Sequence, residues 1–130
     1  MISLMTFVAA VVICAVLGLL AVFQLLLIAG LPLGRFAWGG QQVVLPARLR
    51  IGSAVSIVLY AVFAGIALER AQLTTVIPSA TFIAVATWVL AAYFVLGAVM
   101  NAVSRSKPER FTMAPVSLVL AALFLVLAIV

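Results

Sequence analysis

Apolar residues in this chain run on in four long blocks, Ile2 to Gly30, Ile51 to Leu68, Ala80 to Val103 and Phe111 to Val130, with no Asp, Glu, Lys or Arg inside any of them. Each block is close to or above the ~20 residues that a helix needs to cross ~30 Å of hydrocarbon. A membrane barrel would instead alternate apolar and polar positions. The pattern therefore predicts an all-α integral membrane protein. Its four transmembrane helices, over about 2–30, 51–68, 80–103 and 111–130, form a single domain covering 1–130 and pack as an up-down bundle. No Lys or Arg precedes the first block and no convincing small-residue cleavage site follows it, so it is expected to stay as a helix and not be removed as a signal peptide.

Composition strengthens this reading. The chain is 69% hydrophobic and 7% charged, whereas soluble domains are roughly 45–50% apolar and about 25% charged. A soluble fold of 130 residues could not hide so much apolar surface.

Charge placement predicts orientation. Arg35, Arg48 and Arg50 lie between the first two blocks, Arg105, Lys107 and Arg110 between the last two, and Arg70 alone lies on the other side. Cytoplasmic loops retain Lys and Arg, so these two loops are expected in the cytoplasm, with both termini on the outer side of the cell inner membrane. The cations sit in short loops and not along a continuous face, which favours lipid headgroups over nucleic acid as partners.

Local signals mark the connections. Ser106-Lys107-Pro108-Glu109 reads as a capping box, with Ser106 accepting from the Glu109 amide and Glu109 reaching back. Pro115 lies two turns further on and predicts a bend. The Gly, Pro, Trp and Arg of residues 31–40 suit an interfacial segment with Trp38 at headgroup depth, and Pro46 opens the second helix. Glu69 opposes the helix dipole at the end of the second block, and it is expected to snorkel to the outer headgroups beside Arg70.

AVSIVLYAVF, residues 54–63, matches PVSLVLAALF, residues 115–124, and each follows a basic loop. Two tandem helical hairpins related by a pseudo-twofold axis along the membrane normal would give this match. Small residues predict the packing faces, because helices in lipid associate by close backbone approach. Those faces carry Gly52, Ser56, Tyr60 and Ala64 in the second helix, and Ala84, Thr87, Ala91, Ala98 and Asn101 in the third. The fourth offers Ala114, Ser117, Ala121 and Ala128, and the first Cys14, Gly18 and Ala21. Such stripes exceed what one compact bundle needs, so a homo-oligomer or a partner membrane protein is expected.

Candidate chemistry is sparse. Histidine and aspartate are absent, and Cys14 is the only cysteine, expected as a small core residue. No paired carboxylates, metal-ligand spacing, nucleophile elbow or phosphate loop occurs, so neither an enzyme nor a cofactor is expected. The spans as read carry no ionisable group, which argues against ion-coupled transport. Polar side chains within the spans must find partners, and Gln24, Tyr60, Tyr93 and Asn101 are expected to form an intramembrane polar cluster. At the cytoplasmic face Arg outnumbers Lys five to one, which suits bidentate binding of phosphate or carboxylate. The Gly39-Gly40 step lets backbone approach such a group closely.

Two functions follow as expectations. The first is a non-catalytic accessory or interaction subunit whose Arg35, Arg48, Arg50, Arg105, Lys107 and Arg110 bind anionic lipid or an acidic partner segment. The second is a small uncoupled transporter or channel formed by oligomerisation.

Overall fold

The computed structural model describes residues 3–130, so the expected start of the first helix at Ile2 lies outside the described residues. The chain is all-helical: α1 spans Leu4–Ile28, α2 Ala47–Arg70, α3 Ala80–Ala102 and α4 Lys107–Ile129. Two short 3-10 turns, Gly34–Phe36 and Trp38–Gly40, stand between α1 and α2. All four helices are long and apolar enough to cross a membrane.

Capping decides where the helices begin. Ser3 Oγ accepts from the Thr6 amide at 3.1 Å, Ser79 Oγ from Phe82 at 3.1 Å and Ser106 Oγ from Glu109 at 3.5 Å, each relieving an amide that has no partner inside the helix. Pro46 stands at the N-cap of α2. In consequence α2 and α4 start a full turn before their apolar blocks, at Ala47 and Lys107 instead of Ile51 and Phe111. The backbone ladder carries their charged first turns beyond the apolar stretch. α4 runs unbroken through Pro115.

The core is built from small residues that let helices approach and from aromatic rings that fill the space between. Ala10, Ile13 and Leu17 of α1 meet Phe63 and Ala67 of α2, Ala91 and Phe94 of α3, and Leu120, Ala121 and Phe124 of α4. Phe94 stacks on Phe124 with ring centroids 5.5 Å apart, and Phe63 meets Phe94 edge-on at 5.7 Å. α1 packs chiefly on α2 and α3 chiefly on α4, and the ring is closed by α1 against α4 and α2 against α3. On α1 the inward face differs from the expected Cys14, Gly18 and Ala21. Ala10, Ile13, Leu17, Gln24 and Leu27 are buried, while Cys14 is half-buried and Gly18 is exposed. Larger side chains gain more contact area there than the small stripe offers.

One end of the bundle is tied by its charged residues. Arg70 donates from its guanidinium to the carbonyls of Leu127 at 2.8 Å and Ala128 at 3.0 Å, closing carbonyls that the last turn of α4 leaves open. Glu69 does not extend outward as expected. Its carboxylate accepts from Thr74 Oγ1 and from the amides of Val76 at 3.1 Å and Ile77 at 2.6 Å, so it folds the α2–α3 connection over its own helix end. Backbone amides in that connection offered a nearer partner than solvent.

The exterior is apolar. Leu19, Val58, Phe111 and Leu118 are more than 60% exposed, and contiguous apolar surface of this kind is not left facing water by soluble monomers.

Candidate functional site

At the other end, residues 31–46 fold over the gap between the helices and lock onto the start of α4. Trp38, Gly39 and Gly40 all take positive φ, at 53°, 79° and 73°, a sequence of left-handed residues that turns the chain back sharply. For Trp38 this is unfavourable, and its side chain offsets the cost. The indole Nε1 donates to the fully buried Ser53 Oγ at 3.2 Å, and the ring lies on Gly52, where an added Cβ would come within 2.7 Å of Cη2. Gly40 rests on Ser106, whose hydroxyl donates to the Arg35 carbonyl.

Glu109 completes the lock. Its side chain is 6% exposed, and its Oε2 accepts from the Gly39 amide at 3.3 Å. This corrects the expected capping box, because the reciprocal bond does not form and the Ser106 amide donates to Ser104 Oγ at 3.2 Å instead. α4 begins at Lys107, so its first turn carries Glu109 ahead of the apolar stretch and turns it inward beneath the loop. Among the described residues no lysine or arginine pairs with this carboxylate. The Gly39-Gly40 step does bring backbone against an anionic group, and that group belongs to the chain itself.

Beneath this loop lies a cavity of about 370 Å³. Its walls are largely aromatic, formed by Phe23, Phe36, Trp38, Tyr60, Tyr93 and Phe94, with Met100 and Met113 beside them. The polar groups on it are Gln24, Asn101, Ser117 and Glu109. Gln24 is 8% exposed, and its Nε2 donates to the Tyr60 hydroxyl at 3.3 Å while its Oε1 is buried with no partner. Turning the amide over would only exchange the orphan, since Tyr60 can satisfy one of the two atoms. Asn101 Nδ2 donates to Ser117 Oγ at 3.1 Å. Tyr93 stacks edge-on against Phe63 and Phe94 and is half-exposed. All four residues of the expected polar cluster thus line one cavity, but only Gln24 and Tyr60 bond to each other, and Asn101 pairs with Ser117 instead.

The chain matches no protein-family profile, no curated protein and no solved structure. Its function has to be read from this geometry.

The six cations of the two loops occupy the rim of the same end in different ways. Arg35, Arg48, Arg105 and Lys107 are exposed. Arg35 and Arg110 lie over the neighbouring rings of Phe36 at 5.4 Å and Phe111 at 4.9 Å. Arg50 serves the fold, with Nε donating to the Leu45 carbonyl at 2.8 Å and its guanidinium against Gly30. Arg105 borders a second, outer hollow with Gln41, Ser104 and Glu109. Sequence reasoning missed Glu109 as a cavity residue because its spacing from Ser106 is fully explained by a local cap. The usable signal was the run Trp38-Gly39-Gly40, whose left-handed conformation supplies the competing amide.

Proposed function

We propose that the chain is a multi-pass membrane protein, an up-down bundle of two hairpins with both termini outside and its basic loops in the cytoplasm. In this reading it serves as a non-catalytic accessory subunit, docking an anionic lipid headgroup or an acidic segment of a partner membrane protein. The observation that carries the proposal is charge imbalance at the rim. Six cations share that end with a single carboxylate, Glu109, and that carboxylate is turned inward. The positive field at the surface is therefore uncompensated, and each cation near an anionic leaflet contributes about 1 kcal/mol. The apolar exterior and the six-to-one distribution of cations between the two ends support the orientation.

The test replaces three of the four exposed cations, Arg48, Arg105 and Lys107, with glutamine and leaves the structural Arg50 intact. Thermal stability in detergent should stay at the wild-type level while co-purified acidic phospholipid and retention on acidic vesicles fall. Unchanged retention would reject docking at this face. Cysteines at Gln41 and at Lys107 should be shielded from an impermeant reagent in intact cells, and one at Thr75 labelled; the opposite pattern would invert the topology.

The second reading, an uncoupled transporter or channel formed by oligomerisation, draws on the cavity and on Gly18 and Gly65, where the α1 and α2 backbones meet no neighbouring atoms and a second copy could approach. Solute flux in liposomes that survives the triple substitution but is lost with Tyr93→Phe would favour it.

A further inference from the structure

The polar lining of the cavity combines one carboxylate with amide, hydroxyl and indole groups. Among its lining residues Glu109 is the only one that carries a formal charge, and Oε2 is the oxygen that meets Gly39. The Gln24 amide keeps one unpartnered atom that water does not reach, so a ligand in the cavity does not reach it either. An anion entering here would face a carboxylate in a setting of low polarity. A purely apolar molecule would leave the Glu109 carboxylate with its bond from Gly39 alone, which carries a desolvation penalty. Six aromatic rings and two methionines stand in the rest of the wall among smaller aliphatic residues. Rings attract cations through their π faces, and methionine adapts to irregular apolar shapes.

From this we infer that the cavity is a binding site for a small amphipathic organic cation, its ammonium held by Glu109 and its apolar body among Trp38, Tyr60, Tyr93 and Phe94. The volume of about 370 Å³ is within the range of small-molecule sites. Entry is lateral. Tyr93 and Met100 both line the cavity and show on the apolar exterior, 50% and 63% exposed. A ligand partitioned in the bilayer would reach Glu109 between α2 and α3 with its charge near the headgroups. Arg105, the cation that shares the outer hollow with Glu109, is exposed and screened, while the carboxylate is buried, so the short-range attraction inside the cavity exceeds the repulsion from outside. The site is independent of the docking face proposed above, since it uses none of the exposed cations.

The test uses the purified full chain in a neutral detergent and three probes of one shape: 2-phenylethylammonium, uncharged 2-phenylethanol and anionic 3-phenylpropionate. Binding is followed by calorimetry and by quenching of Trp38 fluorescence in a Trp88→Phe background. The cation should bind at least tenfold more tightly than the alcohol and the anion not measurably, and Glu109→Gln should remove the advantage of the cation. Equal affinity for cation and alcohol in the unsubstituted protein would overturn the inference, whether or not Glu109→Gln folds. So would a folded Glu109→Gln protein that binds the cation as well as the parent.

Discussion

The lock between the first loop and α4 can be tested at two adjacent glycines that share a backbone conformation but not an environment. Gly39 and Gly40 have φ of 79° and 73°, so alanine at either position meets the left-handed penalty of about 1–2 kcal/mol. At Gly39 an added Cβ meets nothing within 4 Å, so the cost stops there. At Gly40 the Cβ would overlap the Ser106 side chain and come within 3.0 Å of the Arg35 carbonyl oxygen. Either the loop or the first turn of α4 must move, an overpacking cost of about 1–3 kcal/mol. Moving them also breaks the Ser106 to Arg35 bond and strains the Gly39 amide to Glu109 bond, worth about 1 and 2 kcal/mol. The expected totals are about 1–2 kcal/mol for Gly39→Ala and about 5–8 kcal/mol for Gly40→Ala. The larger figure reaches typical whole-protein stabilities of ~5–15 kcal/mol, so local undocking of the loop is the cheaper response. In a Trp88→Phe background Trp38 is the only tryptophan, and undocking would shift its emission to the red and raise its quenching by acrylamide. Gly40→Ala should show both changes at temperatures where Gly39→Ala matches the parent. Indistinguishable melting and emission for the two variants would refute the contact between Gly40 and Ser106 and, with it, the lid over the cavity.

Three further substitutions probe the packing around the site. Arg70→Gln should lower stability by about 2 kcal/mol and speed hydrogen exchange in the last turn of α4, because it removes two charge-assisted bonds to terminal carbonyls; unchanged exchange there would show that the turn does not depend on them. Gln24→Leu should leave the melting temperature within about 1 kcal/mol of the parent in stability, since it removes an orphan oxygen together with one hydrogen bond, and a large loss would mean that the amide is fully satisfied. Phe124→Ala, at a ring with no exposure that stacks on Phe94, should cost about 3–5 kcal/mol in thermal denaturation, and a negligible effect would contradict the core.

Apolar run length and loop charge were enough to determine that the chain is four long helices and that its cations gather at one end, because both depend on composition along the backbone. Ser106, ahead of the fourth apolar run, marked a helix start for the same local reason. Tertiary structure decided what local rules leave open, namely which of several available partners a polar group takes. Glu109 could reach back to its own cap or forward to Gly39, and the left-handed turn at Trp38-Gly39-Gly40, held by Ser53 and Gly52 from α2, supplied the better placed amide. Glu69 had lipid headgroups or the amides of its own loop to choose from, and the fold brought Val76 and Ile77 within 3.1 Å. The inward face of α1 was also undecided in sequence, since the helix is apolar on every side and no amphipathic stripe points to its neighbours. Gln24, Tyr60, Tyr93 and Asn101 were conspicuous as polar residues in apolar runs, but the cavity they share depends on how far α2 stands from α3 beneath the loop. No spacing along the chain encodes that separation, because it results from side chains of four different helices filling, or failing to fill, the same volume.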